Sequence, residues 1–329
     1  MTDPSFVRQR HVTDGRDLAY PPLPEALVVP VYDNHTHLEM VPARTASTPL
    51  RGAEEPAGGG PDGEQPLDYR EQLDRASSVG VRGVVQVGND VETSQWSADM
   101  AAIEPRMLAA VALHPNDAPD YAERGELDDA LAIIDGLARR PRVRAVGETG
   151  LDFFRTEEGP RRDAQFRSFE AHIEIAKQNG IALQIHDRDA HAAVVATLKR
   201  VGAPERTVFH CFSGDIELAR ICADNGWYMS FAGNLTFKNA PNLRAALGAA
   251  PRHLVMVETD APFLTPMPFR GRPNAPYLIP HTLRAMAEVM GTDASTLAAQ
   301  INSNTELVYG RWDSEPVGPP PTMPIGIIA

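Results

Sequence analysis

Short apolar runs rich in β-branched residues recur along the chain: Ala26–His35, Val81–Gly88, Met107–Leu113, Val143–Gly147, Ile181–His186, Thr207–Phe212, Tyr228–Ala232 and Leu254–Glu258. Most are nearly continuous in apolarity, the pattern of parallel strands covered on both faces. Stretches of helical period lie between them. Arg161–Asn179 sets Phe166, Phe169, Ile173 and Ala176 on one stripe, starts after Pro160 and ends at Gly180. Tyr69–Val79, Leu127–Ala138, Ala190–Val201 and Ile216–Asn225 repeat that pattern. Eight strands alternating with helices predict an α/β fold, a (β/α)8 TIM barrel with right-handed crossovers. A doubly wound open sheet is the alternative, but no G-x-G-x-x-G follows the first strand to support it.

Three segments break the rhythm. Residues 1–27 read as an irregular N-terminal extension and 42–66, with its Gly-Gly-Gly run, as a flexible Gly/Pro-rich insertion after the first strand. Residues 311–329 form a Pro-rich tail that cannot be helical, which leaves 28–310 for the barrel. With 329 residues, 43% of them hydrophobic, the chain accommodates one barrel of about 250 residues with these additions. Cys211 and Cys222 are the only cysteines and suit a reducing compartment with both thiols free. The opening MTDPSFVRQR has no apolar stretch, so no secretory signal is expected, and no window is apolar enough for a membrane span. A cytoplasmic location without membrane attachment is expected. A net charge of -13 opposes tight nonspecific binding to a polyanion unless cations intervene.

Catalytic groups of such barrels sit at the C-terminal strand ends, where the loops converge on one mouth. The first strand ends in Asp33-Asn34-His35-Thr36-His37, the fourth in Gly147-Glu148, the fifth in His186-Asp187-Arg188, the sixth in His210-Cys211 and the eighth in Glu258-Thr259-Asp260. Alternate residues of a strand face one side, so His35 and His37 can meet one ion. Taken singly, a His-x-His pair is a weak signal, His210 could be a core histidine and Glu148 a salt-bridge partner. Together they would crowd five polar groups into one barrel end, where buried imidazoles and carboxylates need partners or a metal. Four histidines among the donors favour a transition ion over Mg or Ca.

The same residues carry a resemblance. Asp33-Asn34-His35-Thr36-His37-Leu38, Gly147-Glu148-Thr149-Gly150-Leu151-Asp152, Ile185-His186-Asp187-Arg188-Asp189-Ala190, His210-Cys211-Phe212-Ser213-Gly214, Thr236-Phe237-Lys238-Asn239-Ala240 and Glu258-Thr259-Asp260-Ala261-Pro262 stand in order between about Tyr32 and Gly310. In these pieces the chain resembles the TatD-like metal-dependent deoxyribonucleases of the amidohydrolase-type metallo-barrel superfamily. The resemblance implies two divalent ions (Zn, Mn, Mg, Fe or Ni). His35 and His37 with Asp260 would hold one ion, His186 and His210 the other, and Glu148 would bridge them. It makes Asp260 and Glu148 the catalytic carboxylates and Arg188, Lys238 and His114 substrate contacts. The activity implied is 3'-5' exonuclease cleavage of DNA phosphodiesters at single-stranded ends.

The pattern is not followed everywhere. His114-Pro115-Asn116 has Asn where a second His is common, Asn274-Ala275-Pro276 has Ala where Glu is frequent, and the tail beyond Gly310 has no counterpart. The 42–66 insertion is also longer than the usual connection. Other functions compatible with the ligand set are a small-molecule amidohydrolase or lactonase, a deacylase of D-aminoacyl-tRNA, and a non-catalytic scaffold with a vestigial site.

Overall fold

The structure, a computed structural model, describes residues 8–12, 19–44 and 67–312. Eight strands form one sheet: β1 (Val31–Thr36), β2 (Val81–Val87), β3 (Met107–Val111), β4 (Val143–Asp152), β5 (Ala182–Arg188), β6 (Thr207–Phe209), β7 (Tyr228–Phe231) and β8 (Val255–Val257). They lie in chain order, each parallel to its neighbour. At the C-terminal end the sheet meets itself. The Asp260 amide donates to the His35 carbonyl at 2.9 Å and the His37 amide to the Ala261 carbonyl at 2.8 Å. The expected (β/α)8 TIM barrel is the fold.

The five predicted helices are present, with Gly180 in the left-handed conformation that ends the longest of them, Pro160–Asn179. Val91–Ile103, Pro241–Ala249, Ile279–Val289 and Ala294–Tyr309 add helices that the hydrophobic pattern did not single out. The first of these buries Ser94, Trp96, Ser97, Ala98, Met100 and Ala101, too many sides to leave a stripe. It is set instead by a capping box between Asp90 and Thr93. Within the N-terminal extension, Arg8–Val12 is a strand paired in parallel with Met40–Arg44. From residue 45 to 66 the expected insertion lies outside the described residues, as does the tail from 313.

Two apolar layers hold the barrel. The outer one packs helix residues such as Leu73, Trp96, Phe169, Ile173 and Leu283 onto the strands. The inner one fills the lower barrel with Tyr32, Val85, Leu108, Ala145, Val208, Met256 and Trp312. Trp312 stacks on Tyr32 at 4.0 Å and donates from its indole to the carbonyls of Val84 and Arg106. Above this floor the inward positions turn polar. Ala182 is followed two residues on by Gln184 and then His186, Val208 by His210, and Met256 by Glu258.

Candidate metal centre

The mouth of the barrel gathers all six predicted ligands. The Nε2 atoms of His35 and His37 lie 3.2 Å apart. His37 Nε2 is 3.6 Å from both Glu148 Oε1 and Asp260 Oδ1, and His35 Nε2 is 3.8 and 3.9 Å from the same atoms. The other Glu148 oxygen, Oε2, meets His210 Nε2 at 2.8 Å and His186 Nδ1 at 3.1 Å. One carboxylate thus faces two groups of imidazoles, one with each oxygen.

Local backbone geometry makes this possible. The register of β4 against β5 shifts between Val146 and Thr149, a bulge that holds Gly147 and Glu148. A Cβ on Gly147 would fall 2.4 Å from the Gln184 Cβ, so the strands approach this closely only with glycine there. Asp260 adopts φ 53°, a left-handed conformation that Asp tolerates better than most residues and that clusters at functional sites.

Hydrogen bonds behind the rings decide which nitrogens face inward. His35 Nδ1 is 3.0 Å from Gln184 Oε1 and His37 Nδ1 is 2.9 Å from the Val87 carbonyl. Both partners are acceptors, so each Nδ1 carries the proton and each Nε2 presents a lone pair. His210 Nδ1 faces Glu258 Oε1 at 3.2 Å and His186 Nε2 faces Asp152 Oδ2 at 3.4 Å, which leaves their other nitrogens turned towards Glu148. Four lone pairs and two carboxylates therefore converge in one buried volume. Such an arrangement repels itself unless cations enter it, and imidazole with carboxylate is a donor set for divalent transition ions.

Without such ions, protons are the substitute. Burial disfavours charge on His37, but the Asp260 hydrogen bond and nearby carboxylates outweigh it and push its pKa up to about 9. Burial likewise opposes charge on His210, and Glu148 and Glu258 override it to raise that ring well above the ordinary range. His35 is held well below its ordinary value by burial and by His210. Glu148, despite burial that would raise it, is kept well below the usual carboxylate range by the His210 charge and by hydrogen bonds from His186 and His210. The donor set fits metal ions.

Of the three predicted substrate contacts, the structure places two in the cavity over this cluster, whose volume is about 550 Å³. His114 stands inside the cluster itself, its Nε2 3.7 Å from Glu148 Oε2. The Asn116 amide donates to His114 Nδ1 at 3.0 Å, so the neutral ring carries its proton on Nε2 and offers a donor there. Burial holds this ring neutral, its pKa lowered to about 3. Arg188 lines the cavity wall. Lys238 does not line it; it is exposed, beyond the 3-10 turn Gly233–Thr236.

Other residues of the site have no role assigned by the sequence reading. Gln184, Asp152 and Glu258 orient the rings from behind, and Arg155, Asn116, Asn234 and Phe263 line the cavity. Gln184 precedes His186 by two and Glu258 precedes Asp260 by two, an alternation that marks them as neighbours.

A family model described as TatD related DNase matches residues 32–310. The chain belongs to this family. A TatD protein of Mycobacterium tuberculosis, described as an uncharacterized metal-dependent hydrolase, is 38% identical over 281 residues, covering 84% of this chain and 97% of the relative. A TatD protein of Citrobacter rodentium named 3'-5' ssDNA/RNA exonuclease is 33% identical over 254 residues, covering 74% of this chain and 92% of its own. Among solved structures, the TatD homologue YJJV of Escherichia coli K12 superposes with a TM-score of 0.68 at 25% identity, over 74% of this chain and 92% of the homologue. The chain is thus a metal-dependent hydrolase of the TatD family, with His, Glu and Asp groups able to hold metal at the barrel mouth. Among the described residues no helix is long and apolar enough to cross a membrane.

Proposed function

We propose that this TatD-family hydrolase is a deoxyribonuclease that trims single-stranded DNA from the 3' end. One observation carries the choice of an anionic substrate. In a chain of net charge -13, the cavity over the cluster is walled by Arg155 and Arg188, and neither forms an ion pair with a described residue. Elsewhere Arg106, Arg140, Arg161 and Arg200 are each held in an ion pair. Free guanidinium groups over a metal-type cluster suit a phosphodiester, whereas an amide or lactone site would present an apolar wall. The name of the Citrobacter relative supports the 3'-5' direction and the single-stranded substrate.

In this reading His35, His37 and Asp260 would hold one divalent ion and His186 and His210 a second, with Glu148, which faces both groups, as a shared ligand. When bound, the ions supply an acidified water and neutralise charge on the phosphate. Asp260, at the cavity wall, accepts the proton of the attacking water. His114 donates from Nε2 to a phosphate or leaving-group oxygen. Arg188 and Arg155 orient the phosphate, and Lys238 contacts the strand where it leaves the cavity. The free cysteines Cys211 and Cys222 suit work in the reducing cytoplasm.

The test is a substrate panel on metal-loaded protein: a single-stranded oligonucleotide labelled at either end, the matching duplex, D-aminoacyl-tRNA, and several amides and lactones. Stepwise shortening from the 3' end of the single strand is the expected outcome. Hydrolysis of a lactone or amide with no action on the oligonucleotide overturns the reading.

A further inference from the structure

The two phenylalanines after β4 point in different directions. Phe153 packs on Phe166, with ring centroids 6.2 Å apart, and lies under Arg162. Phe154 is 61% exposed, one of few large hydrophobic side chains among the described residues left so open. Its ring carries the Arg188 guanidinium at 4.0 Å. Arg188 and Arg155, the residue that follows Phe154, both line the cavity. An aromatic face therefore stands at the rim, joined to the two cations proposed to hold phosphate.

We infer that Phe154, with Arg188 over it, is a stacking platform for a nucleobase of the strand whose phosphate enters the cavity. The inference rests on the phosphodiesterase reading and deepens it. Base–aromatic stacking tolerates any sequence because every base has a π-face, and Arg adds to it. An unpaired base near a strand end can turn a free face to the ring, whereas a base inside a duplex is covered on both faces by its neighbours. Phe154 is thus a specificity-determining residue: it selects frayed or single-stranded ends while the arginines hold the backbone. Burial does not account for Phe at this position, since most of its surface meets solvent.

The experiment uses metal-loaded full-length chain and two oligonucleotides: one intact, one with abasic residues at its last three 3' positions. Wild type is expected to prefer the intact strand in kcat/KM by about tenfold or more, the scale of one stacked base. Phe154→Ala is expected to lose that preference, and Phe154→Trp to regain it. Because the side chain is exposed, the fold should survive both changes, as circular dichroism will show. A preference that persists in Phe154→Ala overturns the platform, as does an equal loss on both strands, which would mean that Phe154 only positions Arg188. If wild type cuts neither strand, the phosphodiesterase reading fails and the platform falls with it.

Discussion

The two ends of the barrel are built from the same strands by opposite rules. At the lower end the inward positions are Tyr32, Val85, Leu108, Ala145, Val208 and Met256, closed by Trp312. Two to four residues beyond these and Ala182, along the strands or just past their ends, the inward positions are His35, Gln184, His186, His210 and Glu258. The floor lowers its free energy by removing apolar surface from water, which depends on volume and shape. The mouth gathers buried groups that repel one another unless cations join them, and the strands below hold it in place. Stability therefore belongs to one end and chemistry to the other, and substitutions at each should separate the two.

The largest effect is expected at the mouth. Glu148→Ala or Asp260→Asn should lower oligonucleotide hydrolysis by about 10³-fold or more, the scale of losing a principal electrostatic element, with the fold kept by circular dichroism. Unchanged kcat/KM in either variant would break the division. The floor should answer in reverse. Trp312→Ala removes the stack on Tyr32 and the indole hydrogen bonds. It should destabilise the fold by about 3–5 kcal/mol in urea titrations, while kcat per folded molecule stays near wild type. A drop in kcat as large as that for Glu148→Ala would show that the ends are not separable.

The groups behind the ligands sharpen the boundary. Gln184→Leu would leave His35 Nδ1 without its acceptor, and Glu258→Gln would weaken the hold on His210. Each should reduce metal affinity about 10–100-fold, read by titration of stripped protein with Zn or Mn.

The smallest effect concerns His172, buried between helix Pro160–Asn179 and the strands. Its Nδ1 meets Thr149 Oγ1 at 2.8 Å and its Nε2 accepts from the Leu113 amide. Burial lowers its pKa from 6.5 to about 3. Above pH 6.5 the ring is neutral folded or unfolded. Below it the unfolded chain takes up a proton that the folded chain refuses, so stability falls by up to about 1.4 kcal/mol per pH unit until about pH 3. His172→Gln should flatten the difference in unfolding free energy between pH 7 and pH 5.5; an identical slope in both proteins would refute this.

Much of this was legible along the chain because it rests on short-range pattern. Continuous apolar runs such as Met107–Leu113 mark parallel strands, and ligand-type residues just past them mark the mouth. Val91–Ile103 was missed because a helix buried on most sides shows no stripe. Met40–Arg44 was missed as a strand because its partner, Arg8–Val12, lies far back in the chain and carries no apolar run. At the site the residue types could be read, but the direction of each imidazole could not. Gln184 turns His35, and the Val87 carbonyl turns His37, through contacts 149 and 50 residues apart. Only the folded chain shows that His114 accepts at Nδ1 and so donates at Nε2.

The most direct test counts the metal. Purified wild type and Glu148→Ala, each stripped with chelator and reloaded, would be assayed for bound metal by elemental analysis and for single-strand cleavage in parallel. The account predicts two divalent ions per wild-type chain, no cleavage when stripped and recovery on reloading, with the variant losing both metal and activity. Full cleavage by stripped wild type, or a Glu148→Ala protein that keeps both ions and its rate, would contradict it.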